Sequence, residues 1–255
     1  MKFDLSNIKF SRKDVKDSVK IPKDLTPELA EFIGIMVGDG HISNRIRKDR
    51  NSGQVYEIQI HGNIKDKKYY SKYVNTIIFN LFNIKFKIHL LQSRNAVLLL
   101  RNSKAIHSSL KYYFELPSRK DNIEVPKIIM QSSEEIKTAF LRGFFDADGC
   151  FVVKYKPNSY PVVQAASKSS QLINEIAEVL AQVNIPSCTF KDDKYYGKRN
   201  KRYITHCINV NGRKRVEKYM NSIGFSNKNK IEKYRKFIEN ELKGIKKRPA
   251  NPCKP

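Results

Sequence analysis

The stretch FLRGFFDADG, residues 140–149, is apolar at helical spacing and then closes on two aspartates, Asp146 and Asp148, just ahead of Gly149. The last turn of a helix carries unpaired carbonyls and about half a negative elementary charge, so an acid side chain there is disfavoured by roughly 0.3 to 1 kcal/mol. Such a placement asks for a role that outweighs the local electrostatics. The helix itself opens upstream at SSEEIKTAF, where Ser132 and Glu135 have the spacing of a capping box, and Gly149 supplies the stop.

A second stretch of the same kind, LTPELAEFIGIMVGDG, begins at Leu25, with Thr26 as N-cap, Pro27 at the first helical position and Gly40 as the stop. At a constant offset of 109 residues the two align Ala30 with Ala139, Gly34 with Gly143, Gly38 with Ala147, Asp39 with Asp148 and Gly40 with Gly149. The chain therefore contains an internal repeat. After each of these helices come two alternating segments of strand character, 42–47 and 55–61, then 151–156 and 161–166. A helix closing on an Asn-Ile pair follows in each half. Then come two more strands, IKFKIHL and AVLLLRN in the first half, SCTFKD and RYITHCINV in the second. Closing helices are expected over 103–115 and 212–222, and a further basic helix over 228–242.

The fold class is thus α+β, an α-β-β-α-β-β-α unit used twice. The chain divides into a basic, extended N-terminal arm (1–24), a first repeat (25–120), a linker (121–131), a second repeat with its C-terminal helix (132–242) and a disordered basic tail (243–255).

Composition bounds the partner. Forty-nine Lys and Arg against 25 Asp and Glu give a formal net charge of +24 over 255 residues. Such a field concentrates polyanions, and nucleic acid is the expected partner; the bland reading is a soluble basic protein whose lysine content reflects genome composition. No single amphipathic basic helix points to a membrane surface, and no apolar run approaches spanning length. Cys150, Cys188, Cys207 and Cys253 lie far apart without C-x-x-C spacing, which fits reduced thiols in an intracellular protein rather than a zinc site or a disulfide framework. The N-terminal run lacks an apolar signal core, so no secretory signal or transit peptide is expected.

The small residues Ala30, Gly34, Gly38 and Ala139, Gly143, Ala147 recur every four positions, which keeps them on one stripe and allows two helix backbones to approach closely. Lying side by side in one direction, the helices would end together and pair Asp39 with Asp148. Periodicity alone leaves that convergence open, because Asp39 lies about 100° around the helix from Gly38. Two carboxylates at two negative helix ends repel, and a hard divalent cation resolves the conflict: Mg²⁺ takes oxygen ligands from one or two carboxylates, keeps several waters and seeks phosphate oxygens. Phosphodiester hydrolysis is the chemistry such a centre supports.

FIGIMVGDG (32–40) and LRGFFDADG (141–149) resemble the two copies of the motif that names the LAGLIDADG homing endonucleases, and YEIQIHGNIKDKKYYSKYV and IGFSNKNK are similar to other stretches of that family. The resemblance covers roughly residues 20 to 240. It implies a pseudo-twofold saddle of antiparallel sheets over DNA, with the motif helices at its centre. Asp39 and Asp148 would hold the metal against the scissile phosphates, assisted by the Gly38 and Ala147 carbonyls. Two motifs in one chain imply a monomer that needs no protein partner, reads a long asymmetric double-stranded site and leaves four-base 3′ overhangs. Mg²⁺ would be the cofactor, with Mn²⁺ able to substitute and Ca²⁺ supporting binding without efficient cleavage.

The resemblance also implies a polar residue just after the second strand of each repeat, for which Lys65 and Lys168 are the nearest positions. Its central lysines fall on Lys228 in FSNKNK and Lys120 in PSRKDN. Asp146 has no acidic counterpart, since Val37 stands in the first copy, and reads as a locally hydrogen-bonded or solvated residue. Strand alternation offers Arg45, Arg47, Gln59, His61, Lys85, Lys87, His89, Arg101, Lys154, Lys156, Gln164 and Lys191 as residues facing the groove, and the basic run 191–202 as a hairpin tip. His41 and His206 lack metal-ligand spacing and read as structural. An RNA-binding maturase and a non-catalytic DNA-binding regulator remain as alternatives on the same fold; both are disfavoured by the intact acids. Intein status is not expected, for want of flanking splicing blocks.

Overall fold

The computed structural model describes residues 2–46, 53–155, 159–196 and 201–246. In chain order the helices are α1 (Arg12–Lys16), α2 (Pro27–Gly38), α3 (Asn75–Phe82), α4 (Lys104–Phe114), α5 (Lys127–Met130), α6 (Glu134–Ala147), α7 (Ser170–Gln182), α8 (Arg213–Ser222) and α9 (Lys228–Lys246). The strands are β1 (Gly40–Ile46), β2 (Gln54–Asn63), β3 (Lys87–Leu91), β4 (Ala96–Asn102), β5 (Gly149–Lys154), β6 (Tyr160–Ser167), β7 (Cys188–Tyr196) and β8 (Lys201–Asn211). They form two antiparallel sheets of matching order, β1-β2-β4-β3 and β5-β6-β8-β7. The expected α-β-β-α-β-β-α unit is present twice.

Register fixes which face each sheet buries. Gly40 pairs with Ile60, Ile42 with Ile58, and Ile60 with Leu99. Ile42, Ile58, Ile60, Val97 and Leu99 thus share one face, and all are buried. In the second sheet Phe151 pairs with Val163 and Ala165 with Ile208, again on the buried face. Each such side chain contributes about 1.5–3 kcal/mol through removal from water. α2 is buried from Leu29 through Gly38, because it lies between the two halves rather than on the surface.

Several local expectations hold in detail. The Thr26 hydroxyl accepts from the Leu29 amide with Pro27 at the first helical position. Asn83 and Asn184, from the two Asn-Ile pairs, both adopt left-handed backbone (φ 59° and 60°) and turn the chain so that Ile84 and Ile185 enter the core; asparagine tolerates that region better than most residues.

Others are corrected. The expected capping box of Ser132 and Glu135 does not form. The Ser132 hydroxyl donates to the Ile129 carbonyl, since α5 ends just before it, and α6 is capped from Ser133 without a side-chain bond. The first 24 residues are not an extended arm: Ile8, Val19 and Ile21 are in the core. Buried Asp14 accepts from the Ser11 amide and from the Lys104 and Ala105 amides at the start of α4, so its charge caps a helix that sequence distance hid. Tyr69–Val74 winds as a π-helical stretch ahead of α3. Residues 243–246, assigned to a disordered tail, continue α9, and 247–255 lie outside the described residues. Among the described residues no helix is long and apolar enough to cross a membrane.

Candidate active site at the paired helix ends

The small-residue stripes of α2 and α6 meet backbone to backbone. A Cβ added to Gly34 would lie 2.1 Å from the Phe140 carbonyl oxygen, and one added to Gly143 would lie 2.0 Å from the Glu31 carbonyl oxygen. These two contacts are mates under the 109-residue repeat. The stripe continues to the helix ends, where a Cβ on Gly38 would meet the Ala147 Cβ at 2.5 Å and the Asp148 Cγ at 3.5 Å. α2 and α6 therefore end together, and Asp39 and Asp148 converge as their C-caps.

Electrostatics follow from this geometry. Burial and the neighbouring Asp148 raise the Asp39 carboxyl to about 7, against the Tyr70 hydrogen bond and the nearby Lys120 and Lys230 charges, which pull the other way. Asp148 lies more open to solvent, yet the protein around it also raises its pKa, opposed by the same two lysines. Two ammonium groups are held at the helix ends. Lys120, in a short 3-10 turn of the linker, donates to the Gly38 carbonyl and, at 3.2 Å, to that of Val37. Lys230, in the first turn of α9, donates to the carbonyls of Phe145 at 2.8 Å and Asp146 at 2.5 Å. Each satisfies carbonyls that a helix terminus leaves unpaired. Burial lowers both lysine pKa values, and the carboxylates, Asp148 and Asp39 for Lys120, Asp146 and Asp39 for Lys230, limit the fall.

Asp146 is neither solvated nor locally bonded. It is 1% exposed and accepts from the Ser226 amide at 2.8 Å and the Asn227 amide at 3.1 Å, 80 residues away. It pins the turn that leads into α9 and so fixes where Lys230 enters. Burial raises its carboxyl to about 7. The same turn is tied to the first half: the Ser226 hydroxyl donates to Glu31 Oε1 at 3.0 Å, and Asn229 donates to Asp66 at 2.7 Å and to the Lys65 carbonyl; from α6 the Arg142 guanidinium donates to the same Glu31 at 2.9 Å.

The sequence candidates separate clearly. Asp39, Asp148, Gly38, Ala147 and Lys120 come together. Lys228 does not: it is exposed at the start of α9, and Lys230, two residues on, is the buried one. The repeat offset does not separate them, because Lys120 plus 109 falls at 229, between the two. Lys65 and Lys168 are exposed just past β2 and β6, with no side-chain bond to the acids among the described residues. Tyr70, Glu31, Arg142 and Ser226 were not singled out from the sequence; a buried glutamate inside an apolar helix was the one available cue.

On the outer sheet faces, register places His41, Arg45, Gln59, His61, Lys87 and His89 on the side opposite the core in the first sheet, and Lys154 and Gln164 likewise in the second. Glu57 organises part of this face, accepting from Gln59 at 2.6 Å and Arg45 at 3.3 Å, while the His61 ring contacts Gln59 at 2.7 Å. Arg101 is corrected: it pairs with Ile58, shares the inner face and forms an ion pair with Asp17. Lys191 also falls on the inner side, opposite His206 and in step with Ile208. Lys85 precedes β3, its ammonium 5.6 Å from the Phe79 ring centroid of α3. Alternation misplaced Arg101 because an inner position closed by a charged partner, Asp17, reads as polar, and Lys191 because its inner position is exposed. Arg47, Lys156 and the tip of the 191–202 run, 197–200, lie outside the described residues.

Among the described residues no cluster of three or more His, Cys, Asp or Glu side chains is placed to hold a metal. Two carboxylates and helix-end carbonyls are an oxygen-only donor set, which fits a hard divalent ion that completes its shell with water and phosphate.

A family model described as a LAGLIDADG-like domain matches residues 135–224. Over 232 residues the chain is 28% identical to a probable translation initiation factor IF-2 of Methanocaldococcus jannaschii, covering 89% of this chain and 18% of the relative. A glutamine–fructose-6-phosphate aminotransferase of the same organism is 26% identical over 228 residues, 89% of this chain and 19% of the relative. The chain thus spans about a fifth of the length of these curated relatives. Among solved structures, a mesophilic variant of the homing endonuclease I-DmoI superposes with a TM-score of 0.57 at 16% identity, over 78% of this chain and 96% of that one. The LAGLIDADG homing endonuclease I-LtrWI bound to target DNA gives 0.52 at 17% identity, over 87% and 92%. I-DmoI in complex with DNA and Ca, or with DNA and Mn, gives 0.55 and 0.54, at 15% and 16% identity and over 79% of this chain in both.

Proposed function

A LAGLIDADG-like domain lies in the second half of this chain, and the whole has the fold of the two-repeat LAGLIDADG homing endonucleases; from that premise we propose that the protein is a site-specific double-strand DNA endonuclease. The observation that carries the reading is the convergence of Asp39 and Asp148 at two adjacent helix ends, each end bonded by an ammonium group. A protein using this framework only to bind DNA has no need to hold two repelling carboxylates there. The names of the full-length relatives, an initiation factor and an aminotransferase, share no chemistry, so what is common to them is the module and not those activities.

Asp39 and Asp148, with the Gly38 and Ala147 carbonyls, would hold divalent metal, Mg²⁺ or Mn²⁺. Bound there, the ion supplies polarisation of the phosphate and a lowered pKa for the attacking water. Lys120 and Lys230 bring positive charge to the place where the pentacoordinate phosphorus centre and the departing oxygen would become more negative. Outer-face side chains, Arg45, Gln59, His61, Lys87 and His89 from one sheet and Lys154 and Gln164 from the other, present donors and acceptors suited to base edges and phosphates. The differing residues on the two sheets suit an asymmetric target, and two acids in one chain suit cleavage of both strands by a monomer; the family resemblance adds that the products carry 3′ overhangs.

The test is selection of cleaved duplexes from a randomised DNA library in Mg²⁺. Cut products with a common sequence are expected, absent in excess EDTA and absent in Ca²⁺ despite a gel-shifted complex. Asp148→Asn and Asp39→Asn each keep the gel shift and lose double-strand cleavage by about a hundred- to a thousandfold, the scale set by removing charge stabilisation from a reacting centre. Undiminished cutting in EDTA or by both variants would overturn the reading.

A further inference from the structure

The two acids are held differently. The Tyr70 phenol donates to Oδ2 of Asp39. Among the described residues no side chain donates to the carboxylate of Asp148, which also lies more open to solvent.

The Tyr70 bond is built into the first repeat. The π-helical stretch Tyr69–Val74 delivers the ring inward, where it is 2% exposed. Gly62 on β2 leaves the room for it: a Cβ there would lie 2.1 Å from the Tyr70 Cε2. Tyr69 packs edge-on against Tyr70 with ring centroids 5.0 Å apart, and its own buried hydroxyl has no hydrogen-bond partner. Among the described residues nothing comparable stands in the second repeat, where Ser167 leads almost directly into a regular α7 whose first turns carry Gln171 and Glu175, bonded to each other. A donor on one carboxylate oxygen fixes the side-chain rotamer and leaves the other oxygen aimed and free, which is how outer partners orient metal ligands.

We infer that Tyr70 is a positioning residue for Asp39 and that it makes the two half-sites inequivalent, the first preorganised by the protein and the second ordered only when cation and phosphate arrive. This deepens the endonuclease reading and rests on it. The two strands of a target are then cut with different cation requirements, and the difference is set by one phenol rather than by the DNA sequence alone.

The experiment uses the full chain and a duplex recovered from the cleavage selection, with each strand carrying its own label. Tyr70→Phe keeps the ring beside Gly62 and removes only the donor; Tyr69→Phe removes the unpartnered hydroxyl next to it. For Tyr70→Phe the Mg²⁺ concentration for half-maximal nicking rises about 10- to 100-fold on one strand, changes less than about twofold on the other, and the slow strand recovers at saturating Mg²⁺. Tyr69→Phe leaves both strands unchanged. Two readouts are independent of turnover: the Asp39 carboxyl ¹³C resonance of the free protein moves in Tyr70→Phe while that of Asp148 stays, and Ca²⁺ titrated into the DNA complex binds more weakly. Equal slowing of both strands, no slowing of either, or an unmoved Asp39 resonance would overturn the inference. If the wild-type chain cuts neither strand, the endonuclease reading falls, and the resonance of the free protein still decides whether Tyr70 positions Asp39.

Discussion

The two repeats agree where they touch and diverge where they do not. At the α2–α6 contact the mates Gly34 and Gly143 each face a carbonyl of the opposite helix, and a Cβ at either would lie within about 2.1 Å of it. At the helix ends both halves keep an aspartate and an ammonium donor, but the supports differ. Asp39 leans on Tyr70, and the carbonyls ending α2 take their lysine from a short turn in the linker. Asp148 stands open, and the carbonyls ending α6 take theirs from α9, whose entry is pinned by Asp146. A shared contact cannot be relaxed on one side only, because each helix is the other's wall. A charge at an open end can be supported in many ways, so duplication leaves that part free to drift.

The comparison can be broken most severely at the contact itself. Gly34→Ala and Gly143→Ala force backbone apart rather than displacing a flexible side chain, so each is expected to cost at or above the roughly 1–3 kcal/mol of ordinary overpacking, and by similar amounts. Thermal denaturation of both variants measures this; a small loss in one and a large loss in the other would show that the contact is not shared equally. A smaller, one-sided effect is expected at Asp146. Asp146→Asn puts an amide where two backbone amides donate, leaving one of them without an acceptor beside the Lys230 ammonium. A loss of about 1–3 kcal/mol follows, with weaker cleavage from a displaced Lys230. Full cleavage and an unchanged melting temperature would remove the pin. The smallest effect separates neighbours in one turn: Lys228→Ala should change stability by no more than about 0.5 kcal/mol and leave cleavage unchanged, whereas Lys230→Ala should slow cleavage. The reverse pattern would restore Lys228 to the site and break the equivalence of Lys120 with Lys230.

The sequence by itself determined the repeat, the order of the main helices and strands within each repeat, the stripe of small residues and the candidate pair of acids. These are legible because each is periodic or local: a glycine every four residues, an asparagine ahead of an isoleucine, a proline after a capping threonine. The offset between the two motifs then carried the assignment from one half to the other. Only the tertiary structure decided which lysine reaches the helix ends, since Lys228 and Lys230 differ by two positions in a run where every residue is polar, and the choice depends on how Asp146 holds Ser226 and Asn227 from 80 residues away. The same holds for Arg101, which alternation put on the outer face but which lies on the inner one with its partner, Asp17, from the N-terminal segment folded back on the first half. Tyr70 belongs here too. Its phenol meets Asp39 because a π-helical stretch turns it inward and because Gly62, on a separate strand, leaves it room. Periodicity reports the face a residue occupies on its own element, but not which side chain of another element will meet it there, because that depends on how the elements pack in three dimensions.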